Sequence, residues 1–233
     1  METSAFLEFI RLVIAGDTDR VARRLSAAPA LATTASPVGA TRQRATDFFF
    51  TAISHYLYAG DTALHMAAAA FSRPMAELLI THGAGCRARN RRGAEPLHYA
   101  ADGGRREPQA QAGMIEYLIS KGAEPNAVDK TGVAPLHRAV RGRSLAAVQA
   151  LLDGGADPRK PNKAGSTPLH LAVQPAGKSG SGSDQAHHQQ AAIIKLLLAR
   201  GARPTDKDSQ GKTVRRAATS VWIRELLNET KDC

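Results

Sequence analysis

The sequence contains few of the residues that cross-link or anchor a protein. Only Cys86 and Cys233 are present among 233 residues, too few for a disulfide framework or a cysteine-based zinc site. No apolar stretch approaches the roughly 20 residues that a membrane-spanning helix needs. The N-terminal segment METSAFLEFIRLVIAGD carries Glu2 and Glu8 where a secretory signal would be positively charged. We therefore expect no membrane span, no export and a cytoplasmic location.

Acidic residues are also scarce. The chain has 21 Asp and Glu against 31 Lys and Arg, which gives a formal net charge of +10. This excess favours an acidic partner or nucleic acid, although net charge indicates what a protein associates with and not how it folds. A hydrophobic content of 43% with 22% charged residues is typical of a folded chain and not of a disordered one.

An eight-residue phrase recurs along the chain. It reads GDTALHMA at 60–67, GAEPLHYA at 93–100, GVAPLHRA at 132–139 and GSTPLHLA at 165–172, and a weaker copy opens at Gly211. The opening glycines are separated by 33, 39, 33 and 46 residues. Each unit closes on a Gly-Ala pair that lies ten residues before the next opening glycine. All variation in length therefore falls inside the units, between the histidine and the closing glycine.

The residues of each unit predict two helices. Thr62, Thr167 and Thr213 stand where a helix N-cap is favoured, and a proline follows in three units at the first helical position, where its missing N–H has no intrahelical partner. Paired aliphatic residues then indicate a second helix. We expect it to end at the closing glycine, because the residue after a helix often takes a left-handed conformation, which glycine adopts most easily.

A period of 33 residues headed by T-P-L-H-x-A resembles the ankyrin repeat. The resemblance covers about residues 60 to 227 and implies an all-α repeat solenoid of helix-turn-helix units joined by β-hairpin loops. We expect an N-terminal capping helix pair with a long aromatic loop (1–59), then repeats at 60–92, 93–131 with an insertion, 132–164 and 165–210 with a flexible insertion, and a C-terminal capping repeat (211–233).

The phrase histidines would suggest catalysis if the motif occurred once. The resemblance implies instead that they bond locally and to adjacent backbone, which ties the repeats together. These histidines are His65, His98, His137 and His170. Gly177-Lys178-Ser179 and Gly211-Lys212-Thr213 lack the earlier glycine of a phosphate-binding loop, and no other catalytic motif is present. We therefore expect no enzyme, no cofactor and no metal site.

Three segments do not repeat. Residues 33–59 contain five of the eleven aromatic residues within positions 48–58, so this loop is either a hydrophobic flap packed on the first repeats or a partner-binding finger. Residues 103–113 and 174–190 lengthen two units at the turn between their helices. We expect both to be surface extensions, the second with the composition of a flexible linker.

The resemblance implies protein binding through the hairpin tips and the exposed side of the first helices. The expected exposed groove positions are Met66, Ala69, Tyr99, Asp102, Arg138, Arg141 and Gln174. Together with basic hairpin residues they give the predicted partner-binding set Arg89, Arg91, Arg92, Tyr99, Asp102, Lys130, Arg138, Arg141, Lys160 and Lys163.

The predicted function is a monomeric, non-enzymatic protein–protein interaction module, acting as adaptor, scaffold or inhibitor on a partner with an acidic surface. The alternative is a nucleic-acid-associated regulatory protein that uses the basic surface. That alternative predicts affinity that falls steeply with salt concentration, although no recognition helix or stacking platform is present to support it.

Overall fold

The computed structural model describes residues 3–103, 107–175 and 184–229, and these ranges fold mainly as helices. They open with helices α1 (Thr3–Ala15) and α2 (Thr18–Ala27). Four helix pairs follow: α3 (Ala63–Ala69) with α4 (Arg73–Thr81), α5 (Pro96–Ala100) with α6 (Pro108–Ser120), α7 (Pro135–Gly142) with α8 (Leu145–Asp153), and α9 (Pro168–Ala172) with α10 (Asp184–Ala199). The last pair is α11 (Val214–Ala217) and α12 (Val221–Glu229).

The helices form two rows. The first helices of the pairs, α3, α5, α7, α9 and α11, contact one another in chain order, and α2, α4, α6, α8 and α10 form the second row. One hydrophobic core runs between the rows from Phe6 to Leu227. The leucine of every phrase is at most 1% exposed in it: Leu64, Leu97, Leu136 and Leu169. Because each unit buries its apolar face only against its neighbours, the architecture is the predicted repeat solenoid.

The helix ends follow the predicted local chemistry. Proline occupies the first turn of α5, α7 and α9. The four closing glycines have φ between 90° and 95°, a left-handed conformation that costs glycine least. Thr213 caps α11 by accepting from the N–H of Arg216 at 3.2 Å. Ala134 begins α7 with a methyl group, which can accept no hydrogen bond.

In the two 33-residue units, the second helix starts directly after a serine whose N–H caps the first helix. This N–H donates to the carbonyl of the alanine that closes the phrase: Ser72 to Ala67 at 3.1 Å, and Ser144 to Ala139 at 3.2 Å. The bond satisfies a carbonyl that the end of a helix leaves without an intrahelical partner.

In the two longer units, a glutamine side chain takes over this role. The second helices α6 and α10 are longer than α4 and α8, because they begin farther ahead of the closing glycine. The amide Nε2 of a glutamine in each reaches the corresponding alanine carbonyl: Gln111 to Ala100 at 2.9 Å, and Gln190 to Ala172 at 2.7 Å. Part of each expected surface extension is thus helical, at 108–113 and 184–190. Residues 104–106 of the first extension and 176–183 of the second, where the flexible linker was expected in the second, lie outside the described residues.

Replacing Gln190 with alanine should therefore destabilise the protein by about 1–3 kcal/mol, because the buried carbonyl of Ala172 loses its donor. Urea denaturation of Gln190→Ala measures this free energy of unfolding. The neighbouring Gln189 is exposed on the same helix, and Gln189→Ala should stay within about 0.5 kcal/mol of the parent protein. Equal losses in the two variants would contradict the capping role.

The connections between units are tight turns, and the one two-stranded sheet in the described ranges lies in the long N-terminal loop. It pairs β1 (Phe49–Phe50) with β2 (His55–Tyr56) in antiparallel register. Short 3₁₀ turns at Pro29–Ala32 and Thr46–Phe48 precede it. No helix in the described parts of the chain is both long enough and apolar enough to cross a membrane.

Candidate functional site

The four phrase histidines are buried links between consecutive units. In each, the backbone N–H three residues earlier donates to Nδ1 at 3.0 to 3.2 Å, so the ring hydrogen is carried by Nε2. This Nε2–H donates to a backbone carbonyl of the next unit at 3.1 to 3.2 Å. The acceptors are Ala94, Val133, Ser166 and Lys212 for His65, His98, His137 and His170 in turn. Both ring nitrogens are therefore engaged in structural hydrogen bonds.

Burial keeps three of these rings neutral. Loss of solvation lowers the pKa of His65 and His137, and lowers the pKa of His98 to about 3, because an imidazolium is poorly solvated in the apolar core. Protonation of Nδ1 would also remove the acceptor of the backbone N–H. In addition, no group of three or more His, Cys, Asp or Glu side chains within the described ranges is placed to hold a metal ion.

Each turn between units is closed by the side chain of an Asn or Asp. Its Oδ1 accepts from the backbone N–H groups two and four residues later at 2.8 to 3.1 Å. The residues are Asn90, Asp129, Asn162 and Asp208. At Asp129, burial alone would raise the pKa, but hydrogen bonds from Thr131, Val133 and Arg138 hold it below its usual value. This recurring Asx turn fixes the shape of the edge on which the predicted basic residues lie.

Consecutive turns are joined by one backbone hydrogen bond at each junction. The donors are the N–H groups of Arg91, Lys130, Lys163 and Ser209, and each reaches the carbonyl of the residue before the preceding opening glycine at 2.9 to 3.1 Å. Three of these donors, Arg91, Lys130 and Lys163, are cations that thus occupy the same position in successive turns, and all three are exposed. Their side chains form no ion pair or hydrogen bond with any described residue. We call Arg91, Lys130 and Lys163 the cation row.

The opening glycines allow the turns to approach this closely. Gly132 has φ 77°, and a Cβ atom there would lie 2.6 Å from the backbone nitrogen of Lys163. Any side chain at this position would push the turns apart. The row is therefore held in register by backbone contacts and not by the flexible cations themselves.

The other predicted hairpin cations are placed differently. Arg89 donates to the carboxylate of Glu95 at 3.0 Å, and Glu95 is only 1% exposed. The guanidinium of Arg92 lies over the ring of Tyr58, 4.7 Å from its centroid. Lys160 is half-buried. The cations of one turn therefore differ in their surroundings: Arg89 and Arg92 contact other side chains of the protein, whereas Arg91 faces solvent.

Residues 33–59 pack across the groove beside the first helices. Phe48 and Leu57 are buried, and the N–H of Leu57 donates to the carbonyl of Phe48 at 2.9 Å. At the tip of the loop, the ring of His55 lies on the ring of Tyr99 with centroids 4.3 Å apart. Burial lowers the pKa of His55. Phe49 remains 38% exposed, so the loop is packed at its base and presents one aromatic side chain to solvent.

The expectation that Tyr99 is exposed in the groove is wrong. Tyr99 is 1% exposed because the loop covers it, and Met66 and Ala69 are buried as well at 0% and 6%. Arg138 and Asp102 are half-buried, whereas Arg141 and Gln174, farther along the solenoid, are exposed as predicted. The open part of the groove therefore begins only after the second unit.

A buried carboxylate, which sequence reasoning missed, fixes the loop to this groove. Asp61 is 0% exposed and accepts from the hydroxyl of Tyr99 at 2.7 and 2.8 Å, from Nδ2 of Asn90 at 2.8 Å and from the N–H of Tyr58 at 2.6 Å. Burial and the adjacent carboxylate raise the pKa of Tyr99. The sequence did hold a signal, since the other phrases place Ala94, Val133, Ser166 and Lys212 at this position.

The tip of the loop and the first helices enclose a cleft of about 730 Å³. Five of the ten predicted binding residues line it: Arg92, Tyr99, Asp102, Arg138 and Arg141. The other five lie along the turns outside it: Arg89, Arg91, Lys130, Lys160 and Lys163. The structure therefore divides the predicted site into a cleft and an exposed basic edge.

Comparison with known families agrees with this architecture. The family model described as ankyrin repeats (3 copies) matches residues 109–208, and the single ankyrin repeat model matches residues 59–91. A search of curated proteins finds no match. Ankyrin repeats are generally modules for protein–protein interaction. Since the two matched ranges together span more than half of the chain, this protein belongs to the ankyrin repeat family.

Proposed function

We propose that this protein is an adaptor or inhibitor that binds an acidic surface of a partner protein along its cation row. The observation that supports this proposal is the row itself. Its three exposed cations occupy equivalent positions, are held in register by hydrogen bonds between turns, and are unpaired among the described residues. The formal net charge of +10 also favours a partner with an acidic surface.

The fixed spacing of the row favours recognition over general attraction. Exposed charges contribute little individually because water and salt screen them. Charges fixed on a rigid edge require less ordering on binding than charges on a mobile loop. Complementary charge also speeds association and suppresses wrong partners, so the row should contribute mainly to association rate and specificity.

The compartment and the assembly state belong to the same proposal. We place the protein in the cytoplasm as a monomer. Cys86 is a buried free thiol, and burial raises its pKa, so it is a poor nucleophile, which supports a reducing compartment. Gel filtration and fractionation of the tagged full-length chain would test both statements.

Charge reversal of the row should abolish capture of the natural partner. The variant Arg91→Glu/Lys130→Glu/Lys163→Glu is expected to lose at least about tenfold in affinity, because three attractive contacts become repulsive. The control Arg11→Glu/Arg23→Glu/Lys195→Glu makes the same change in net charge at three exposed cations away from the turns. Arg89 is left unchanged because it pairs with buried Glu95.

Affinity purification with both variants, at two salt concentrations and with the eluates examined for protein and nucleic acid, distinguishes the candidate functions. A protein captured by the parent and the control but not by the row variant supports the proposal. Nucleic acid lost steeply at higher salt would favour the alternative. Equal capture by all three proteins would rule out the row as the binding surface.

A further inference from the structure

The cleft under the loop contains a guanidinium group with unused hydrogen-bonding capacity. The side chain of Arg138 is only 12% exposed, and its Nη2 donates to Asp129 at 3.2 Å. Its Nη1 lies 3.5 Å from Asp102, and its buried Nε has no hydrogen-bond partner among the described residues. A guanidinium carries five N–H donors, and leaving one buried without an acceptor is costly. Arg138 therefore lacks an acceptor at Nε among the described residues, while its two Nη groups face Asp129 and Asp102.

A second guanidinium lies beside the first. Arg141 follows Arg138 by three residues on α7, so the two side chains emerge on neighbouring positions of the same helix face. Both line the cleft. Arg141 is exposed and forms no ion pair or hydrogen bond with a described residue. The pair thus presents donors that the described chain does not satisfy.

Two carboxylates of the cleft pair with Arg138 and leave Arg141 unpaired among the described residues. Asp129 accepts from the turn with Oδ1, through the N–H groups of Thr131 and Val133 and the Thr131 hydroxyl, and from Arg138 with Oδ2. Asp102 faces Arg138 alone at ion-pair distance. The third carboxylate, Glu107, is exposed just before α6. None of the three lies within 4 Å of the Arg141 guanidinium as an ion-pair partner in the described structure.

The loop supplies the opposite wall. Tyr56 and Tyr58 line the cleft with ring centroids 6.1 Å apart, and His55 covers Tyr99. These aromatic side chains line the same cleft as Arg138 and Arg141. Charge pairs in a partly desolvated cleft are screened less than pairs on an open surface.

We propose that this cleft binds one carboxylate of the acidic partner, with Arg141 as its donor, Arg138 as the adjacent paired cation and the loop tip as the wall that orients it. The proposal rests on the proposed function and names the part of the surface that selects a particular residue of the partner. The carboxylate comes from an Asp or Glu side chain or from a chain terminus, since both present the same two oxygens to a guanidinium.

The test uses short peptides with the full-length chain. The probes are a tetraglutamate with both ends blocked, a tetra-alanine with a free carboxyl terminus, and a blocked tetraglutamine as the uncharged control. Binding is followed by ¹H–¹⁵N NMR that includes the arginine Nε–H signals. We expect saturable shifts at Arg138, Arg141 and Tyr56 with a carboxylate probe and none with tetraglutamine. The stronger of the two carboxylate probes identifies the source of the group.

Arg141→Gln should weaken binding of the carboxylate probe about tenfold or more, because a charge-assisted hydrogen bond is lost. Arg141 is exposed, so this variant should keep the parent's spectrum elsewhere, and Arg141→Lys should restore part of the affinity. The row variant should still show the cleft shifts. Unchanged binding by Arg141→Gln, or shifts confined to the cation row, would overturn the cleft proposal and leave the proposed function standing. Cleft shifts together with undiminished partner capture by the row variant would support the cleft and refute the row.

Discussion

Asp61→Ala is expected to lower the free energy of unfolding by about 3–5 kcal/mol. The carboxylate of Asp61 is fully buried and accepts hydrogen bonds from Tyr99, Asn90 and the backbone of Tyr58. Its removal leaves these donors inside the protein without an acceptor, at a cost of about 1–3 kcal/mol each. The bond between Asn90 and the Tyr99 hydroxyl, at 3.0 Å, can offset only part of this loss.

The effect should reach beyond one residue because this cluster joins four parts of the fold. Tyr58 belongs to the long loop, Asp61 to the first phrase, Asn90 to the turn that follows and Tyr99 to the second unit. Polar networks of this kind are strongly coupled. The double variant Asp61→Ala/Tyr99→Phe should therefore be less destabilised than the sum of the two single variants.

Urea denaturation of the single and double variants measures the free energy of unfolding of each and hence the coupling between Asp61 and Tyr99. Asp47 is an exposed carboxylate of the same loop, paired with Arg44, and Asp47→Ala serves as the matched control with an expected change under about 0.5 kcal/mol. A loss below about 1 kcal/mol in Asp61→Ala, or strict additivity in the cycle, would show that the cluster does not fasten the loop.

The repeat architecture could be predicted from the sequence because its determinants are local. The position of Pro96 at the first turn of α5 and the left-handed glycine at Gly122 are each set by residues within one unit. Repetition then removes the usual uncertainty, since the same phrase specifies the same helix several times. The apolar stripe that each unit exposes alone leaves stacking as the stable arrangement.

The candidate site was harder to predict because its geometry depends on contacts between distant segments. Burial of Tyr99 follows from the path of the loop, which in turn depends on Phe48 and Leu57 packing against the core. No periodic signal marks that path. The wrong expectation of an exposed Tyr99 came from applying the groove of an uncovered solenoid to a unit that this loop covers.

The roles of the basic residues at the edge were also hard to predict from sequence, although these residues are close together in the chain. Arg89, Arg91 and Arg92 lie within four residues, and composition alone treats them as equivalent. Their partners differ: Glu95 holds Arg89, the Tyr58 ring lies under Arg92, and Arg91 joins the row through the backbone of Ala59. Only the register of the turns, set by Asx side chains and close glycine contacts, separates these roles.

The stability of the protein should fall steeply as the pH drops below neutral, with His98 alone contributing a loss of about 2 kcal/mol between about pH 7.5 and pH 5. The folded pKa of His98 is about 3, against 6.5 for the unfolded side chain. Below 6.5 the unfolded chain therefore takes up a proton that the folded chain refuses, so the stabilisation is complete above 6.5 and is lost progressively toward pH 3. One pH unit corresponds to about 1.4 kcal/mol for each such histidine.

His55, His65 and His137 should add to the loss in the same direction, since burial lowers the pKa of each. Urea denaturation across this pH range gives the slope, and NMR of the imidazole protons should show that His98 does not titrate in the folded protein down to about pH 5. His98→Gln should begin from a lower stability and show a shallower slope, reduced by close to one proton. If the variant and the parent lost stability in parallel, or if the His98 signal moved near pH 6.5, the neutral Nε2–H link to Val133 could not be what joins the second and third units.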